Sequence, residues 1–564
     1  MNLSQPTTLA AALALAFTTL AVQAQTVPKI GDVLRQAQPP AVPAAQPAAL
    51  PAFGGAPIAP PMQSLPGGGS AVQVQVFSVV GNRVIDSATL LALVQPEQGK
   101  ALSLAELDAI ATRITRHYRS AGYFVARAYI PAQELKDGTL TIRVVEGNYG
   151  QFHLKNQSRV RNAIVQGLLD DIKDRDIVSL DTLERAMLII NDAPGVKVVQ
   201  ADVMPGQKVG TSDFAITTEA TAAYKGYVML DNYGSIYTGK DRLSFNADWN
   251  SPTGRGDRLS LSGLATQDGG LLNGRLAYSA LAATNGTRAE AALSRTHYQL
   301  GDTYSALEAS GTATALDLGL KTPLKRTRNH SVEAGVTLSV KDLKDDVAST
   351  ATATGKKAVS VSANVSSKRE NQWLGFDGLT QASAAVTVGH LQFNDAAAAA
   401  LDAAGANTQG NYARLNLAIA RVTLLPQQFS LSTSVRAQWA LNGKNMDGSE
   451  RMSIAGDGGV AAYPSGELSG DDAALVRVEL SHALPSVGAV QFGANAFADY
   501  GWARAAKPLA GAGGRGLSDV GVAVTANAAG ALFKISLAHR VNGGAPSSEP
   551  APRTRVLIQG GWVF

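Results

Sequence analysis

The strongest constraint on the fold is the alternation of side chains in residues 555–564, at the carboxyl end of the chain. One face of this stretch is mixed and the other is apolar, holding Val556, Ile558, Gly560, Trp562 and Phe564. A period of two over about ten residues describes a strand long enough to cross an outer membrane when tilted. A soluble strand can alternate in the same way, but an end on an aromatic residue favours the membrane. We therefore predict that this stretch closes a transmembrane β-barrel, with Trp562 and Phe564 as its membrane-assembly signal.

The same alternation continues along the chain from about Tyr224 onward. In residues 242–250, 429–439 and 476–481, apolar side chains occupy one face, and charged or hydroxyl side chains dominate the other. Lipid outside and water inside require this pattern, whereas a soluble β-sandwich would rarely need roughly 340 residues of it. Unpaired backbone groups are costly in hydrocarbon, so the sheet must close on itself. Roughly twenty residues per strand and connection then predict an antiparallel barrel of about 16 strands over residues 219–564.

Composition argues against several other classes of protein. Hydrophobic residues make up 45% of the 564 positions, yet no apolar run is long enough for a transmembrane helix. The net charge of +4 is small for this length and argues against a nucleic-acid partner. Cysteine is absent, which excludes disulfides and thiol catalysis, and the 7 histidines are scattered without metal-ligand spacing. No catalytic, cofactor-binding or metal-binding set can be assembled, so we expect no enzyme and no cofactor.

The first part of the chain is predicted to be a leader and a linker. An apolar run within residues 8–22, followed by Val-Gln-Ala, predicts a secretory signal peptide over residues 1–24, although no basic residue precedes the run. Residues 25–72 are rich in proline and contain three consecutive glycines, which predicts an extended linker. Helical spacing within residues 29–38 predicts a short helix. That helix could plug a pore, or the whole segment could be a disordered leader.

Residues 73–148 have the pattern of a small α+β unit in the order β-α-α-β-β. Alternating valines at positions 72, 74 and 76 predict its first strand. Asp86 predicts the start of one helix, and the pair Ser103 and Glu106 predicts a capping box at the start of the next. Residues 149–218 repeat a similar order. Two such units in tandem are typical of a binding or guiding array rather than an enzyme.

These units resemble the POTRA domains of two-partner secretion proteins. The resemblance depends on short sequence motifs that occur in the same order as in that family, within residues 115–147 and 191–195. The motif residues of the first unit are Tyr118, Gly122, Tyr123, Pro131, Glu146 and Gly147. The resemblance implies POTRA domain 1 over residues 73–148 and POTRA domain 2 over residues 149–218, both in the periplasm. Each motif alone can also be explained by core packing and by turns, in which glycine adopts a positive φ.

Within the predicted barrel, a segment near residues 454–473 resembles the long sixth extracellular loop of the outer-membrane insertase and TpsB superfamily. The residues that carry this resemblance are Val460, Ala461, Tyr463, Gly466, Glu467, Gly470 and Asp471. In that superfamily the loop folds back into the lumen. Its arginine pairs with the aspartate of a Phe-x-Asp-x-Gly strand motif, which occurs in this chain as Phe497, Asp499 and Gly501.

The loop arginine of that superfamily is missing, because alanine occupies position 461. If no other cation replaces the arginine, Asp499 lacks its usual partner and the loop is more mobile. In that case Ala461→Arg should tighten the loop, and Asp499→Ala should do little harm. The alternative is that Arg436 or Arg477, on an inward strand face, has taken over the carboxylate.

From about residue 73 to residue 564 the chain resembles the TpsB transporters of two-partner secretion, the ShlB/FhaC/HecB type. The resemblance implies that the POTRA domains capture an unfolded exoprotein, such as a haemolysin, adhesin or toxin. This polypeptide then crosses the outer membrane through the barrel without ATP, and an amino-terminal helix plugs the pore. The implied partners are the exoprotein and the lipid bilayer, without nucleic acid and without an obligate oligomer. Two alternatives stay open: an insertase-like assembly factor and a passive porin, which has no use for docking modules.

Overall fold

The structure is a computed structural model that describes residues 27–37, 50–51, 53–54, 71–173, 177–508 and 513–564. The predicted signal peptide, residues 1–24, and most of the predicted linker lie outside the described residues. Within the described part, no helix combines the length and the apolar character needed to cross a bilayer. Two short elements come first in the chain, helix α1 (Ile30–Gln36) and strand β1 (Phe53–Gly54).

The first α+β unit packs two helices against a three-stranded sheet. Its elements are β2 (Val72–Gln73), β3 (Val76–Val80), α2 (Ser87–Ala92), a 3-10 turn (Gln95–Glu97), β4 (Ala101–Leu102), α3 (Leu104–Ser120), β5 (Arg127–Tyr129) and β6 (Thr139–Val145). Strand β6 lies in the middle, parallel to β3 and antiparallel to β5. The predicted caps form, because Asp86 accepts a hydrogen bond from the Thr89 amide at 2.8 Å, and Ser103 and Glu106 make a capping box.

The first strand of this unit differs from its prediction. Alternating valines predict one strand that starts at position 72, but the ladder between β3 and β6 begins only at Val76. Val76 is 46% exposed, whereas Phe77 and Val79 are buried. A shift of one residue moves the buried set to the other face of a strand, so the position where pairing starts decides which residues enter the core.

The second α+β unit has the same kind of core. Its elements are β7 (Asn148–Gln157), α4 (Asn162–Asp170), α5 (Leu180–Asp192), β8 (Lys197–Pro205) and β9 (Thr211–Glu219). Residues of both helices and of the sheet bury their side chains together, among them Val165, Leu169, Leu183, Met187 and Phe214. Strand β1 adds to the edge of this sheet in parallel with β8, which gives the order β1-β8-β9-β7. Sequence patterns do not predict β1, since two residues show no period.

The rest of the chain forms a closed antiparallel barrel of 16 strands. The strands are β10 (Tyr224–Asp231), β11 (Arg242–Asn250), β12 (Arg258–Thr266), β13 (Leu271–Leu281), β14 (Arg288–Gln299), β15 (Ala309–Arg326), β16 (His330–Val347), β17 (Thr352–Trp373), β18 (Phe376–Phe393), β19 (Gly410–Leu424), β20 (Phe429–Ala440), β23 (Asp472–Ala483), β24 (Gln491–Arg504), β25 (Arg515–Ala528), β26 (Ala531–Asn542) and β27 (Thr554–Val563). Helix α6 (Ala396–Ala404) lies between β18 and β19, and the short strands β21 (Met452–Ser453) and β22 (Ser469–Gly470) pair within the loop before β23. The predicted barrel and its strand number are confirmed.

The predicted closing strand is also confirmed. Strand β27 pairs antiparallel with both β26 and β10, which joins the two ends of the barrel sheet. Its large apolar residues Ile558 and Trp562 are exposed on the lipid side, while Leu557 and Gln559 are buried on the inner side. The alternation in the sequence therefore reflects the two environments of the barrel wall, lipid on the outside and water on the inside.

The second α+β unit is fastened to one rim of the barrel. Arg326, at the turn between β15 and β16, donates from Nε and Nη2 to the two carboxylate oxygens of Asp192, each at 2.7 Å. Nearby, Arg328 donates to Glu184 at 2.6 Å, and Arg185 donates to the Pro323 carbonyl at 2.9 Å. A bidentate arginine–carboxylate pair fixes orientation as well as distance. The barrel rim at the turn between β15 and β16 is thus the side that faces the α+β units.

Removal of residues 555–564 should prevent assembly of the barrel in the outer membrane. Strands β10 and β26 would then expose unpaired backbone groups to lipid, at a cost of several kcal/mol for each group. Phe564→Ala should weaken assembly in the same direction. The measurement is the amount of heat-modifiable protein in outer-membrane fractions by gel electrophoresis. Wild-type amounts of the truncated chain would contradict the closing role of β27.

Arg326→Gln should loosen the second α+β unit from the barrel rim, because it removes the bidentate pair with Asp192. The chain has no native cysteine, so spin labels on one engineered cysteine in α5 and one in the barrel report the distance directly. We expect a broader distance distribution in this variant. Arg369→Gln, on β17 opposite His330, is the matched control and should leave the distribution unchanged. Equal distributions in the two variants would show that the Arg326 pair does not hold the unit.

Candidate functional site

The candidate site is the loop between β20 and β23, residues 441–471, which we call the inner loop. It is the sixth loop at the barrel end that lies opposite the α+β units. It contains a 3-10 turn (Gly448–Glu450) and the hairpin of β21 and β22. Its motif residues Val460, Ala461, Tyr463, Glu467 and Asp471 are all buried. The inner loop therefore packs inside the protein instead of extending into solvent.

The structure brings the inner loop and the predicted strand motif together. Phe497 and Gly501 lie on the inward face of β24. Phe497 packs in one apolar cluster with Ala461 and Ala462. A Cβ atom on Gly501 would stand 2.9 Å from the Ile454 side chain, so glycine at this position makes room for the loop.

Asp499 has a cation partner that is not in the loop. Arg477 Nε lies 3.1 Å from Asp499 Oδ1, and the Asp499 side chain is fully buried. The two residues stand directly opposite each other in the ladder between β23 and β24. The expectation that Asp499 lacks a cation is therefore wrong, and the alternative that named Arg477 is correct. Arg436 has a different role, since it donates a hydrogen bond to the Gly458 carbonyl of the inner loop.

This pairing removes the basis for the two mutational expectations drawn from the missing loop arginine. Ala461 is 2% exposed and lies against Phe497, so an arginine at this position would be too large for the space. Removal of Asp499 would leave Arg477 without its carboxylate. We therefore expect both Ala461→Arg and Asp499→Ala to be harmful.

The carboxylates of the loop motif anchor the loop at its outer end. Glu467 accepts hydrogen bonds from the backbone amides of Ser547 and Ser548, at 2.9 and 2.8 Å, and from Arg515 Nη1 at 2.5 Å. Asp471 accepts from the amides of Met446 and Ala506, at 2.9 and 3.0 Å, and lies 3.2 Å from Arg451 Nε. Both carboxylates thus tie the inner loop to neighbouring loops of the barrel.

The remaining loop-motif residues shape the turn. The Tyr463 hydroxyl lies 2.9 Å from the carbonyl oxygens of Asn542 and Gly544, so it docks on the end of β26. Gly466 has φ +92°, which favours glycine, and a Cβ on Gly470 would stand 2.6 Å from the Arg504 carbonyl.

Among the residues that hold the loop, Asp519 on β25 and Arg555 on β27 were missed at the sequence level. Asp519 accepts from the Ala462 amide at 2.6 Å. Arg555 Nη1 donates to the carbonyls of Ala461 and Tyr463, at 3.0 and 2.6 Å. Their inward position in an alternating strand was a visible signal, but it does not identify the partner.

Helix α1 lies inside the barrel beside the inner loop. Its first amide, on Ile30, donates to Asp345 Oδ1 of β16 at 2.6 Å, and Arg242 Nη1 of β11 donates to the Gln36 carbonyl at 2.9 Å. Ile30 and Val33 are fully buried among inward-facing barrel residues. A Cβ on Gly31 would stand 2.6 Å from the Ser449 amide, so helix and loop approach backbone to backbone. The predicted helix in residues 29–38 is therefore present, one residue shorter at its start and two at its end.

The predicted POTRA motif residues hold the core of the first α+β unit. The Tyr118 hydroxyl donates to Glu146 Oε1 at 2.9 Å, and the amides of Arg83 and Val84 donate to the same oxygen. Burial, with the hydrogen bond to the Glu146 carboxylate, raises the pKa of Tyr118 above its ordinary value. Tyr123 packs edge-on against Tyr118, with ring centroids 6.1 Å apart.

Three further motif residues lie outside the helices and strands. Gly122 and Gly147 have φ +92° and +85°, and a Cβ on Gly147 would stand 2.5 Å from Val125. Pro131 follows shortly after β5. Among the residues that the structure describes, no group of three or more histidine, aspartate or glutamate side chains could hold a metal ion.

The comparisons with known proteins agree with this geometry. The family model "Haemolysin secretion/activation protein ShlB/FhaC/HecB" matches residues 210–527, and "POTRA domain, ShlB-type" matches residues 72–147. The heme/hemopexin transporter protein HuxB of Haemophilus influenzae (strain 86-028NP) is 29% identical over 436 residues, which covers 77% of this chain and 75% of HuxB. The outer membrane transporter CdiB of Escherichia coli is 28% identical over 203 residues, which covers 36% of this chain and 34% of CdiB.

Two solved structures share the fold. CdiB from Escherichia coli superposes with a TM-score of 0.73 at 20% identity, and the match covers 91% of this chain and 94% of that structure. CdiB from Acinetobacter baumannii superposes with a TM-score of 0.64 at 17% identity, covering 90% and 93%.

Arg477→Ala should destabilise the barrel by about 3 kcal/mol, because it strands the buried Asp499 carboxylate next to Asp519. The double variant Arg477→Ala/Asp499→Asn should recover most of this loss, since the charge is then gone. The measurement is the midpoint of thermal unfolding, followed by heat-modifiability on gels. Arg436→Ala, which strands no carboxylate in the same way, is the matched control. Equal losses in the two single variants, or no recovery in the double variant, would overturn the assigned pair.

Proposed function

The chain belongs to the haemolysin secretion/activation protein ShlB/FhaC/HecB family, and from this we propose that its barrel carries an unfolded exoprotein across the outer membrane in two-partner secretion. Proteins of this family are outer-membrane transporters, with POTRA domains in the periplasm. The observation that carries the proposal is a lumen occupied by α1 and the inner loop, in a barrel whose opposite rim docks an α+β unit. A route for a polypeptide needs both a lumen that can be opened and a docking unit at its entrance.

We propose that the α+β units receive the exoprotein as an extended chain. An unfolded segment can add as a strand to an exposed sheet edge, where main-chain hydrogen bonds give affinity without a strict sequence requirement. The first unit offers β3 and β5 as its two edge strands. The parallel pairing of β1 with the edge strand β8 of the second unit supports this proposal.

We propose that α1 is a removable plug. Its ends are held by polar contacts to Asp345 and Arg242, which water can replace when the helix leaves. Residues 38–52, which separate α1 from strand β1 on the second unit, are rich in proline in the sequence. At about 3 Å per extended residue, this separation lets the helix leave the lumen while the chain stays connected.

The cargo is proposed to be one large exoprotein encoded beside the transporter. HuxB, which is similar over most of its length, is named as a heme/hemopexin transporter. The first cargo to test is therefore an exoprotein with a role in heme or hemopexin transport. We expect a single chain to form the pore, since one chain closes the whole barrel.

Deletion of the transporter gene should trap the exoprotein in the periplasm while other outer-membrane proteins keep their normal amounts. The measurement is immunoblotting of periplasm, outer membrane and culture medium, with complementation by the intact gene as control. A general loss of outer-membrane proteins would instead favour an assembly factor. Normal export of the exoprotein without the transporter would overturn the proposal.

Gly31→Leu should open the pore, because the added side chain meets the Ser449 amide and displaces α1. The expected result is a clear rise in single-channel conductance in planar bilayers, similar to that of a chain lacking residues 27–37. Gly274→Leu is the matched control. Gly274 lies exposed on β13 with open space at its Cβ position, so leucine should leave the conductance unchanged. An unchanged conductance after deletion of residues 27–37 would show that α1 is not a plug.

A further inference from the structure

A row of polar side chains crosses the outside of the barrel on strands β16 to β20. Its members stand directly opposite one another from strand to strand, and they are His330, Arg369, Thr380, Arg421 and Thr433. Farther along the same faces of these strands, Val361, Val388 and Ile419 are exposed to lipid. Because side chains alternate between the two faces of a strand, the row shares the lipid-facing side with these apolar residues. We call it the outer row.

The outer row lies at the edge of the apolar band nearest the α+β units. On β19, the outward face between Asn411 and Arg421 is apolar and consists of Ala413, Leu415, Leu417 and Ile419. The steps from Asn411 to Arg421, at about 3.3 Å each and a tilt of about 40°, span roughly 25 Å across the bilayer, which is the height of the apolar band of such barrels. Arg421 therefore lies at the level where the phosphates of the periplasmic leaflet begin.

Arg421 is held in place by neutral oxygen atoms. Its Nη1 donates to Asn371 Oδ1 at 2.9 Å and to the Thr380 hydroxyl at 2.7 Å. Its Nε donates to the Thr423 hydroxyl at 3.1 Å, and its Nη2 donates to the carbonyls of Asn371 and Phe376, at 3.2 and 3.3 Å. These contacts fix the guanidinium group, but among the described residues no carboxylate neutralises its charge.

Arg369 adds a second cation to the outer row. Its side chain is exposed on β17, opposite Thr380, and it makes no hydrogen bond or ion pair with the residues that the structure describes. Neighbouring strands are about 4.8 Å apart, so the backbones of Arg369 and Arg421 are separated by about 10 Å. The N–H donors of Arg369 are therefore free for a ligand that the fixed charge of Arg421 attracts.

The surroundings of the outer row contain no counter-charge. At this end of β16, β17 and β18, the acidic residues of the described chain are Glu333, Glu370 and Asp377, which alternation places on the inward face. A charge beside hydrocarbon is costly unless an opposite charge pairs with it. The membrane itself can supply that opposite charge, since phospholipid phosphates lie at this level.

The tip of the β17–β18 hairpin extends this surface. Trp373, Leu374 and Phe376 are 58%, 76% and 38% exposed. Arg421 Cζ lies 5.8 Å from the centroid of the Trp373 ring. Tryptophan is enriched where hydrocarbon meets the headgroups of a bilayer. Cationic and apolar groups therefore lie side by side, which fits a phosphate together with the upper part of its acyl chains.

The second α+β unit leaves this part of the rim free. It contacts the turns that follow β11, β13 and β15, through the pairs Arg161–Gly254, Asp171–Thr284 and Asp192–Arg326. The outer row begins on the next strand, β16, and continues away from these turns to β20. Protein thus holds one side of the rim, and the other side faces lipid.

We propose that Arg369 and Arg421 bind the phosphodiester group of an anionic phospholipid in the periplasmic leaflet. Arg421 supplies a fixed positive charge, and Arg369 supplies N–H donors to the phosphate oxygens. The bound lipid anchors the β17–β18 hairpin and sets the depth of this side of the barrel in the bilayer. The site acts without an exoprotein, so it is separate from the proposed transport function.

Fluorescence quenching at one position measures the lipid preference of the site. Because the chain lacks cysteine, Ala382→Cys, on the outward face of β18 next to Thr380 in the alternation, carries a single fluorophore. The purified full chain is placed in vesicles of equal parts phosphatidylglycerol and phosphatidylcholine, of which one lipid is brominated. Brominated phosphatidylglycerol should quench this fluorophore more strongly. At the control position Ala494→Cys, on the outward face of β24, the two lipids should quench equally.

Arg369→Gln should lower the preference for phosphatidylglycerol at position 382 about fivefold, the value expected for one basic residue near an anionic membrane surface. Arg369→Lys, which keeps the charge, should retain most of the preference. Lys368→Gln is the matched control, because it makes the same change of charge on the same strand but faces the lumen. Arg421→Gln should act in the same direction as Arg369→Gln. Since Arg421 also ties the hairpin together, the exposed Arg369 keeps the test valid if Arg421→Gln fails to assemble.

Three results would overturn the proposal. The first is equal quenching by the two lipids at position 382 of the otherwise unchanged chain. The second is the same effect in Lys368→Gln as in Arg369→Gln, since overall charge would then act without a site. The third is loss of the preference when inorganic phosphate replaces chloride at equal ionic strength, because the two arginines would then bind a free anion instead of a lipid.

Discussion

The hydrocarbon of a bilayer does not accept an unpaired backbone amide or carbonyl, and every part of this barrel depends on that constraint. It forces β27 back onto β10, which closes 16 strands into one wall. The closed wall puts apolar side chains outside and polar side chains inside. A polar lumen of this size would be an open hole in the outer membrane. Helix α1 and the inner loop lie in this lumen, and we propose that they close it at rest.

The two lumen elements are held differently from the cores of the α+β units. Those units bury aliphatic and aromatic side chains together, so they resist opening. The lumen elements also bury apolar side chains, and they add hydrogen bonds and ion pairs, such as Lys356 with Asp447 at 2.7 Å and Lys341 with Glu450 at 2.7 Å. Such contacts fix a position precisely but contribute modest net stability, because water competes for the same groups. This combination supports the proposal that α1 is a removable plug.

Arginines of the barrel wall supply the contacts that an arginine in the inner loop would otherwise make. Asp499 needs a cation, and Arg477 supplies it across a strand pair. The inner loop needs donors for its backbone carbonyls, and Arg555 and Arg436 supply them from the barrel wall. An alanine at position 461 is compatible with a fixed loop for this reason. The space that a loop arginine would fill is used instead for close packing of the loop on Phe497.

The sequence identified the inner loop only through its resemblance to a known superfamily, and by itself it determined the barrel, its closing strand and the helix caps. Each of these depends on local period or local chemistry: alternation reports two solvents, and Ser103 with Glu106 satisfies a helix end within one turn. Only the tertiary structure decided which residues meet. A period of two assigns Arg477, Arg555 and Asp519 to the inward face, but it carries no information on strand register or on loop position. The partner of Asp499 and the hold on the inner loop follow from register and packing across distant segments, which no local pattern encodes.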